Sequence, residues 1–290
     1  MIEEFAPAKV NLTLQVGPAR PDGYHPVDSL VVFADWGDRL TFHPSRELSL
    51  DIEGEGAQTL RGEDENLVLK AARLLATAAG LHHDGAAIRL HKQIPLGAGL
   101  GGGSADAAAA LRGLNRLWAL DWPEDMLAGL AAEIGSDVPA CVMSRPLRMT
   151  GRGERLEALA RWPEFPALIV NPRVSVSTAR IFALYDDEPK PVQARSTPSA
   201  TDRAEALDAL RSAENDLQSH AVRASAGIDT VLQTLRETHA GTLVRMTGSG
   251  STCFALFESR SDADAAAGHV LAQQPGWLVQ PVTLQGSHSA

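Results

Sequence analysis

The chain has 290 residues, 44% of them hydrophobic and 21% charged, enough for a substantial core in one large or two modest domains. Its formal net charge of −10 argues against broad binding to nucleic acid or a membrane surface, while leaving room for a local basic pocket. No stretch reaches the ~18 to 20 apolar residues of a membrane span, the acidic start MIEEFAPAKVNL lacks a signal core, and Cys141 and Cys253 sit in no CxxC or Cys/His spacing. We therefore expect a cytoplasmic protein with two buried thiols, without structural zinc or a disulfide framework.

In chain order, the alternation of Val10, Leu12, Leu14 and Val16 predicts a strand over Ala8–Val16. Leu30–Phe33 and Asp38–His43 read as two further strands, with turn signals at Pro21-Asp22-Gly23 and Gly37-Asp38. Helical spacing predicts a helix over Asn66–Ala79, stopped by Gly80. Ala86–His91 is a short strand, and the glycine-dense run from Pro95 leads into an Ala-rich helix over Ser104–Leu120. A second helix covers Pro123–Ile134, and Gly135-Ser136-Asp137-Val138-Pro139 is a loop that starts another short one. Arg148–Leu159 suggests a hairpin, Ala167–Val170 a buried strand, and Asp186–Ala200 an exposed connection. Helices are expected at Asp202–Arg211, Glu214–Ala221 and Ala226–Thr238. Strands Thr242–Met246 and Cys253–Phe257 flank a glycine turn, followed by helix Ser261–Gln273, strand Gly276–Val282 and a frayed tail, Gly286–Ala290. The change from strand-rich to helix-rich sequence suggests a domain boundary near residue 150, and the class is α+β.

The segment Pro95-Leu96-Gly97-Ala98-Gly99-Leu100-Gly101-Gly102-Gly103-Ser104 is the most informative in the chain. Its glycines allow sharp turns and close approach of backbone to a ligand. The helix that follows adds unpaired amides and the positive end of its dipole, which together make an anion site suited to phosphate. Ser104 could cap that helix or contact a phosphate or Mg²⁺. A Walker loop needs Gly-Lys-Ser/Thr at its end, and no lysine follows Gly103. The dinucleotide pattern GxGxxG does match at Gly97, Gly99 and Gly102. A Rossmann NAD enzyme is the runner-up on residues alone, disfavoured by Pro95 and by the lack of alternating βα units.

Three segments in order, Pro7-Ala8-Lys9-Val10-Asn11-Leu12, the glycine loop, and Met246-Thr247-Gly248-Ser249-Gly250-Ser251-Thr252, resemble the GHMP kinase superfamily over nearly the whole chain. Further likeness lies in Arg20-Pro21-Asp22-Gly23-Tyr24-His25, Gly135-Ser136-Asp137-Val138-Pro139 and Glu214-Asn215-Asp216-Leu217. The Asp-Gly-Tyr-His run separates this branch from homoserine and mevalonate kinases, which remain the alternative. The resemblance implies a two-domain fold with a ribosomal-protein-like N-terminal domain (1–150, ATP-binding) and an α+β C-terminal domain (151–290), the active site lying in the cleft. It implies ATP as phosphoryl donor, with Mg²⁺. The acceptor would be a small cytidine diphosphate compound, phosphorylated at the C2 hydroxyl of its methylerythritol in the methylerythritol phosphate route to isoprenoid precursors. Neither nucleic acid nor membrane is an expected partner, and the chain would be a monomer or homodimer.

The resemblance assigns residues in the same way. Asp137 would be the general base and Lys9 its neighbour, holding it ionised; Pro95 through Ala105 would bind ATP. Tyr24, His25 and Phe182 would hold the cytosine, Asn11 and Thr178 would contact substrate, and Gly248, Ser249 and Gly250 would approach its phosphates or brace the site. On residues alone, Asp137 could equally be a helix cap, Lys9 a surface lysine, Phe182 a core aromatic and Gly248–Ser251 a tight hairpin turn. Some family members continue Ser-Asn after Ser104, whereas this chain has Ala105-Asp106. Asp106 is expected to point away from the nucleotide or to help hold Mg²⁺.

Overall fold

The computed structural model describes residues 1–60, 66–81, 85–193, 196–238 and 241–287. The elements run β1 (Ile2–Asn11), β2 (Gln15–Val16), β3 (Val27–Ser45), β4 (Ser49–Gly54), α1 (Ala57–Leu60), α2 (Leu67–Ala78) and β5 (Gly85–Lys92). Then come α3 (Gly102–Leu117), α4 (Glu124–Ala131), α5 (Val138–Met143), β6 (Leu147–Gly151), β7 (Arg155–Ala158) and β8 (Phe165–Asn171). The chain continues through α6 (Thr178–Tyr185), α7 (Arg203–Arg211), α8 (Gln218–Ala224), α9 (Ala226–Glu237), β9 (Leu243–Met246), β10 (Cys253–Leu256), α10 (Arg260–Gln273) and β11 (Leu278–Leu284). Contacts divide it into two compact units: Met1–Lys9, Trp36–Leu96 and Gly101–Ser144 form one, and Val10–Asp35, Gly97–Leu100 and Arg145–Ala290 the other.

In the first unit β5 runs antiparallel to the second half of β3, from Arg39 opposite His91 to Ser45 opposite Gly85, and parallel to β4. The parallel β4–β5 pair needs a crossover, which α2 supplies. Asn66 caps α2 by accepting from Val68 N at 2.9 Å, and Val68, Ala71, Ala72 and Leu75 form its buried stripe. Helix α3 is buried almost all round at Ala105–Leu111. Small side chains let it pack closely against α2 and α5. A Cβ on Gly113 would enter the Phe42 ring, so that position must lack one.

In the second unit β9, β10, β8 and β11 form an antiparallel series in that order, and β11 reaches Ala34 of β3 through Leu284. The hairpin β6–β7 pairs with the first part of β3. A core of Leu168, Val170, Ile181, Tyr185, Leu217, Val231, Leu235 and Met246 lies between this sheet and its helices.

Several elements depart from the sequence reading. The first strand begins at Ile2 and ends at Asn11, and β3 is one unbroken strand where two were expected. Gly37 is no turn residue: a Cβ there would overlap the Ala6 carbonyl, so the glycine allows β1 to lie close. Short β4, α1 and α6 were not anticipated, and α8 begins at Gln218, not Glu214, because Asn215 bridges to Leu14 instead. The tail is tied down as far as Ser287, whose N–H donates to Trp162 O at 2.8 Å; the rest of it, like residues 194–195 of the exposed connection, lies outside the described residues.

Candidate active site

Strand β1 carries Lys9 into the first unit, where the side chain is almost fully buried. Its Nζ lies 2.7 Å from Oδ2 of Asp137. Asp137 immediately precedes α5, yet its side chain makes no capping bond. The helix-cap reading is thereby excluded, and the carboxylate is left for Lys9. Arg112 of α3 braces both partners: Nη2 donates to Phe5 O on β1 and Nη1 to Cys141 O on α5, each at 2.8 Å. Burial pushes the neighbouring Cys141 thiol up to about 12, so it stays protonated.

The end of the glycine loop rests against the same lysine. Gly101 has φ +64°, and a Cβ on it would sit 3.2 Å from Cβ and Cε of Lys9. A Cβ on Gly102 would sit 3.3 Å from Nζ of a second lysine, Lys92. Helix α3 begins at Gly102 with Gly101 as its cap, so Ser104 is its third residue and not the cap. The Lys9 stem and the Lys92 ammonium thus lie beside the start of a long helix, whose unpaired amides are what suits an anion.

Lys92 is itself held by two carboxylates. Its Nζ donates to Asp38 Oδ2 at 2.5 Å and to Asp106 Oδ2 at 2.7 Å. Asp38 Oδ1 also accepts from the backbone N–H groups of Gln93 and Ile94, pinning the chain just before the loop. Burial pushes the Asp106 carboxyl up to about 8 against the pull of Lys92, with Asp38 adding repulsion. Its Oδ1 is buried without a partner. Asp106 is thus committed to Lys92, and among the described residues no group of three His, Cys, Asp or Glu side chains could hold a metal ion.

In the second unit the start of the loop meets the third glycine segment. Thr252 donates to Ala98 O from its N at 3.2 Å and its Oγ1 at 2.5 Å. A Cβ on Gly99 (φ +76°) would lie 2.6 Å from Gly250 O. The loop thus folds with Ala98 and Leu100 inward, and Gly248 and Gly250 both take positive φ. Asn11 joins this corner by donating its N–H to Thr247 Oγ1 at 2.8 Å and its Nδ2 to Ser29 Oγ at 2.7 Å. Thr178 Oγ1 meets Ser249 Oγ at 2.8 Å. Asn215 Nδ2 donates to Met246 O at 2.9 Å and Gly248 O at 2.8 Å, clamping both sides of the turn.

The aromatic candidates share that unit. His25 and Phe182 rings have centroids 4.8 Å apart. Phe182 is half-buried, while the fully buried core aromatic of α6 is Tyr185. Tyr24 is exposed, with the Arg152 guanidinium 4.7 Å from its ring centre. Sequence reasoning missed Lys92, Asp38 and Arg112, and it quoted Asn215 without a role. Only Asp106 carried a signal, as a departure from the family pattern.

The family models for the N-terminal and C-terminal domains of GHMP kinases match residues 66–145 and 199–275. A 4-diphosphocytidyl-2-C-methyl-D-erythritol kinase of Paramagnetospirillum magneticum is 46% identical, covering 96% of this chain and 97% of the relative. One of the same name from Rhodopseudomonas palustris is 45% identical, with 96% and 97% covered. A crystal structure of 4-(cytidine 5'-diphospho)-2C-methyl-D-erythritol kinase matches at a TM-score of 0.78 and 34% identity, covering 98% of this chain and 100% of its own. Homoserine kinase from Cytophaga hutchinsonii shares the fold, at a TM-score of 0.66 and 17% identity over 99% of this chain and 96% of its own. A Rossmann enzyme is ruled out, and the chain belongs to the GHMP kinase family of ATP-dependent small-molecule kinases.

Proposed function

We propose that this chain transfers the γ-phosphoryl group of ATP to the C2 hydroxyl of 4-diphosphocytidyl-2-C-methyl-D-erythritol, giving the 2-phosphate in the methylerythritol phosphate route to isoprenoid precursors. The observation that carries the reading is the Lys9–Asp137 pair at 2.7 Å, with the Lys9 stem under Gly101 at the mouth of α3. The near-full-length relatives bearing that substrate's name support the choice of acceptor. The attacking hydroxyl is tertiary and weakly acidic, so positioning and electrostatics carry most of the work. Asp137 accepts the hydroxyl proton as the new O–P bond forms and the bond to the leaving ADP oxygen breaks. Lys9 orients that carboxylate. The loop from Pro95 to Ala105 cradles the triphosphate by backbone amides, beside the Lys9 stem. Tyr24, His25 and Phe182 hold the cytosine, and Asn11, Thr178 and the turn at Gly248–Gly250 shape the acceptor side. Mg²⁺ would accompany ATP and supply charge neutralisation at its phosphates; among the described residues no group of three His, Cys, Asp or Glu side chains could hold it. The enzyme works in the cytoplasm, as a monomer or homodimer.

The test is ADP release with a panel of alcohols. The cytidine substrate should be turned over, and homoserine and mevalonate should not. Turnover of either of those instead would replace the acceptor, and no ADP with any alcohol would remove the reading.

A further inference from the structure

We propose that Lys92, Asp38 and Asp106 are positioning residues for ATP: their buried charge bridge fixes the neck of the glycine loop, where the chain leaves β5 and returns as α3. The inference rests on the reading above of that loop as the triphosphate cradle. All three residues belong to the first unit, and each side chain is almost fully buried. Asp38 of β3 accepts from the N–H groups of Gln93 at 2.5 Å and Ile94 at 2.9 Å, the last two residues before Pro95. Lys92 ends β5, and its Nζ donates to Asp38 Oδ2 at 2.5 Å and to Asp106 Oδ2 at 2.7 Å. Asp106 is the fifth residue of α3. One ammonium group thus ties the stretch that enters the loop to the helix that follows it.

The two ends of the loop also meet directly. A Cβ on Gly102 would lie 3.0 Å from Ile94 Cγ2 and 3.3 Å from Lys92 Nζ, so the outgoing and returning chain are in contact beside the bridge. Between them Gly97, Gly99 and Gly101 all take positive φ. Glycine adopts that conformation without steric cost, so the direction of the loop's amides depends on how its ends are held. Lys92 is engaged by two carboxylates and acts through the backbone, not on a phosphate. A buried ion cluster is a poor source of stability compared with apolar packing of the same volume. Asp106 Oδ1 adds a further cost, because it is buried without a partner. What the bridge supplies is direction: its hydrogen bonds fix the amides of residues 93 and 94 and the seat of α3.

A bridge that only stabilised the fold would lower the melting temperature and leave the nucleotide affinity of folded enzyme unchanged. The experiment measures binding of a non-hydrolysable ATP analogue with Mg²⁺ by calorimetry, together with kcat and the KM of ATP and of acceptor, in the wild type, Lys92→Met, Asp106→Ala and Asp106→Asn. Thermal melts give the folded fraction of each. Lys92→Met cuts both arms of the bridge. Asp106→Ala cuts only the arm to α3, and Asp106→Asn still offers Lys92 an oxygen. The first two should weaken the analogue and raise the KM of ATP by about 10-fold or more, with the acceptor KM within about 3-fold. Asp106→Asn should recover the affinity to within about 3-fold of the wild type. Should Lys92→Met fail to fold, Asp106→Ala against Asp106→Asn decides. Unchanged affinity in Asp106→Ala, or an equal loss in both Asp106 variants, overturns the proposal. A wild type that binds the analogue but phosphorylates no alcohol removes the proposed reaction and leaves this comparison standing. A wild type that does not bind the analogue overturns both.

Discussion

Lys9 and Asp137 stand 2.7 Å apart but in unequal surroundings, with side-chain exposures of 4% and 36%. The cation is fixed inside the first unit and the carboxylate is open on one side. That asymmetry suits a base that must reach a substrate hydroxyl while its partner holds it still. Asp137→Asn keeps the shape and removes the proton acceptor. It should lower kcat by about 10²-fold or more with little change in KM. Steady-state kinetics checks this, and near-normal turnover would take Asp137 out of the mechanism.

Asp106 gives a pH prediction. Its folded carboxyl is raised from 3.8 to about 8, chiefly by burial. The folded state therefore holds a proton there that the unfolded chain has released, and stability falls as pH rises between those values. Asp106→Asn keeps a neutral side chain beside Lys92, which retains Asp38. Thermal melts from about pH 5 to about pH 9 should show the variant gaining on the wild type as pH rises. Parallel curves would mean that Asp106 does not titrate in this range.

Two glycines of the loop should respond differently to alanine. Gly97 has φ +64° with nothing within 4 Å of an added Cβ, so Gly97→Ala should cost only the left-handed backbone term, about 1–2 kcal/mol. Gly99 has φ +76°, and its Cβ would lie 2.6 Å from Gly250 O, a backbone atom that cannot swing aside. Gly99→Ala should cost clearly more in urea denaturation and should weaken nucleotide binding. Equal costs would contradict the close approach of the two glycine segments.

The elements that were legible are those with local signals. Helix α2 followed from its apolar spacing and the stop at Gly80, and the hairpin β6–β7 from its turn glycines. Strand β3 was split in reading because Gly37 looks like a turn, whereas it serves the close packing of β1. Helix α6 was missed because only Ile181 and Tyr185 are buried, too short a stripe to stand out. Among site residues, Lys9 and Asp137 were found through family likeness, and their mutual distance was not readable. Lys92 at a strand end looks like any exposed lysine until Asp38 and Asp106 close on it.

By itself the amino-acid sequence determined the glycine loop running into an alanine-rich helix, the other motifs and the likeness they carry. Those depend on backbone freedom and helix-end amides, which a short stretch of chain already possesses. Only the tertiary structure decided which carboxylate each buried lysine meets, that Asp137 caps nothing, and that Asp186 faces His25. Such pairings join residues far apart along the chain, and their energies depend on distance and burial, neither of which exists before the chain has folded.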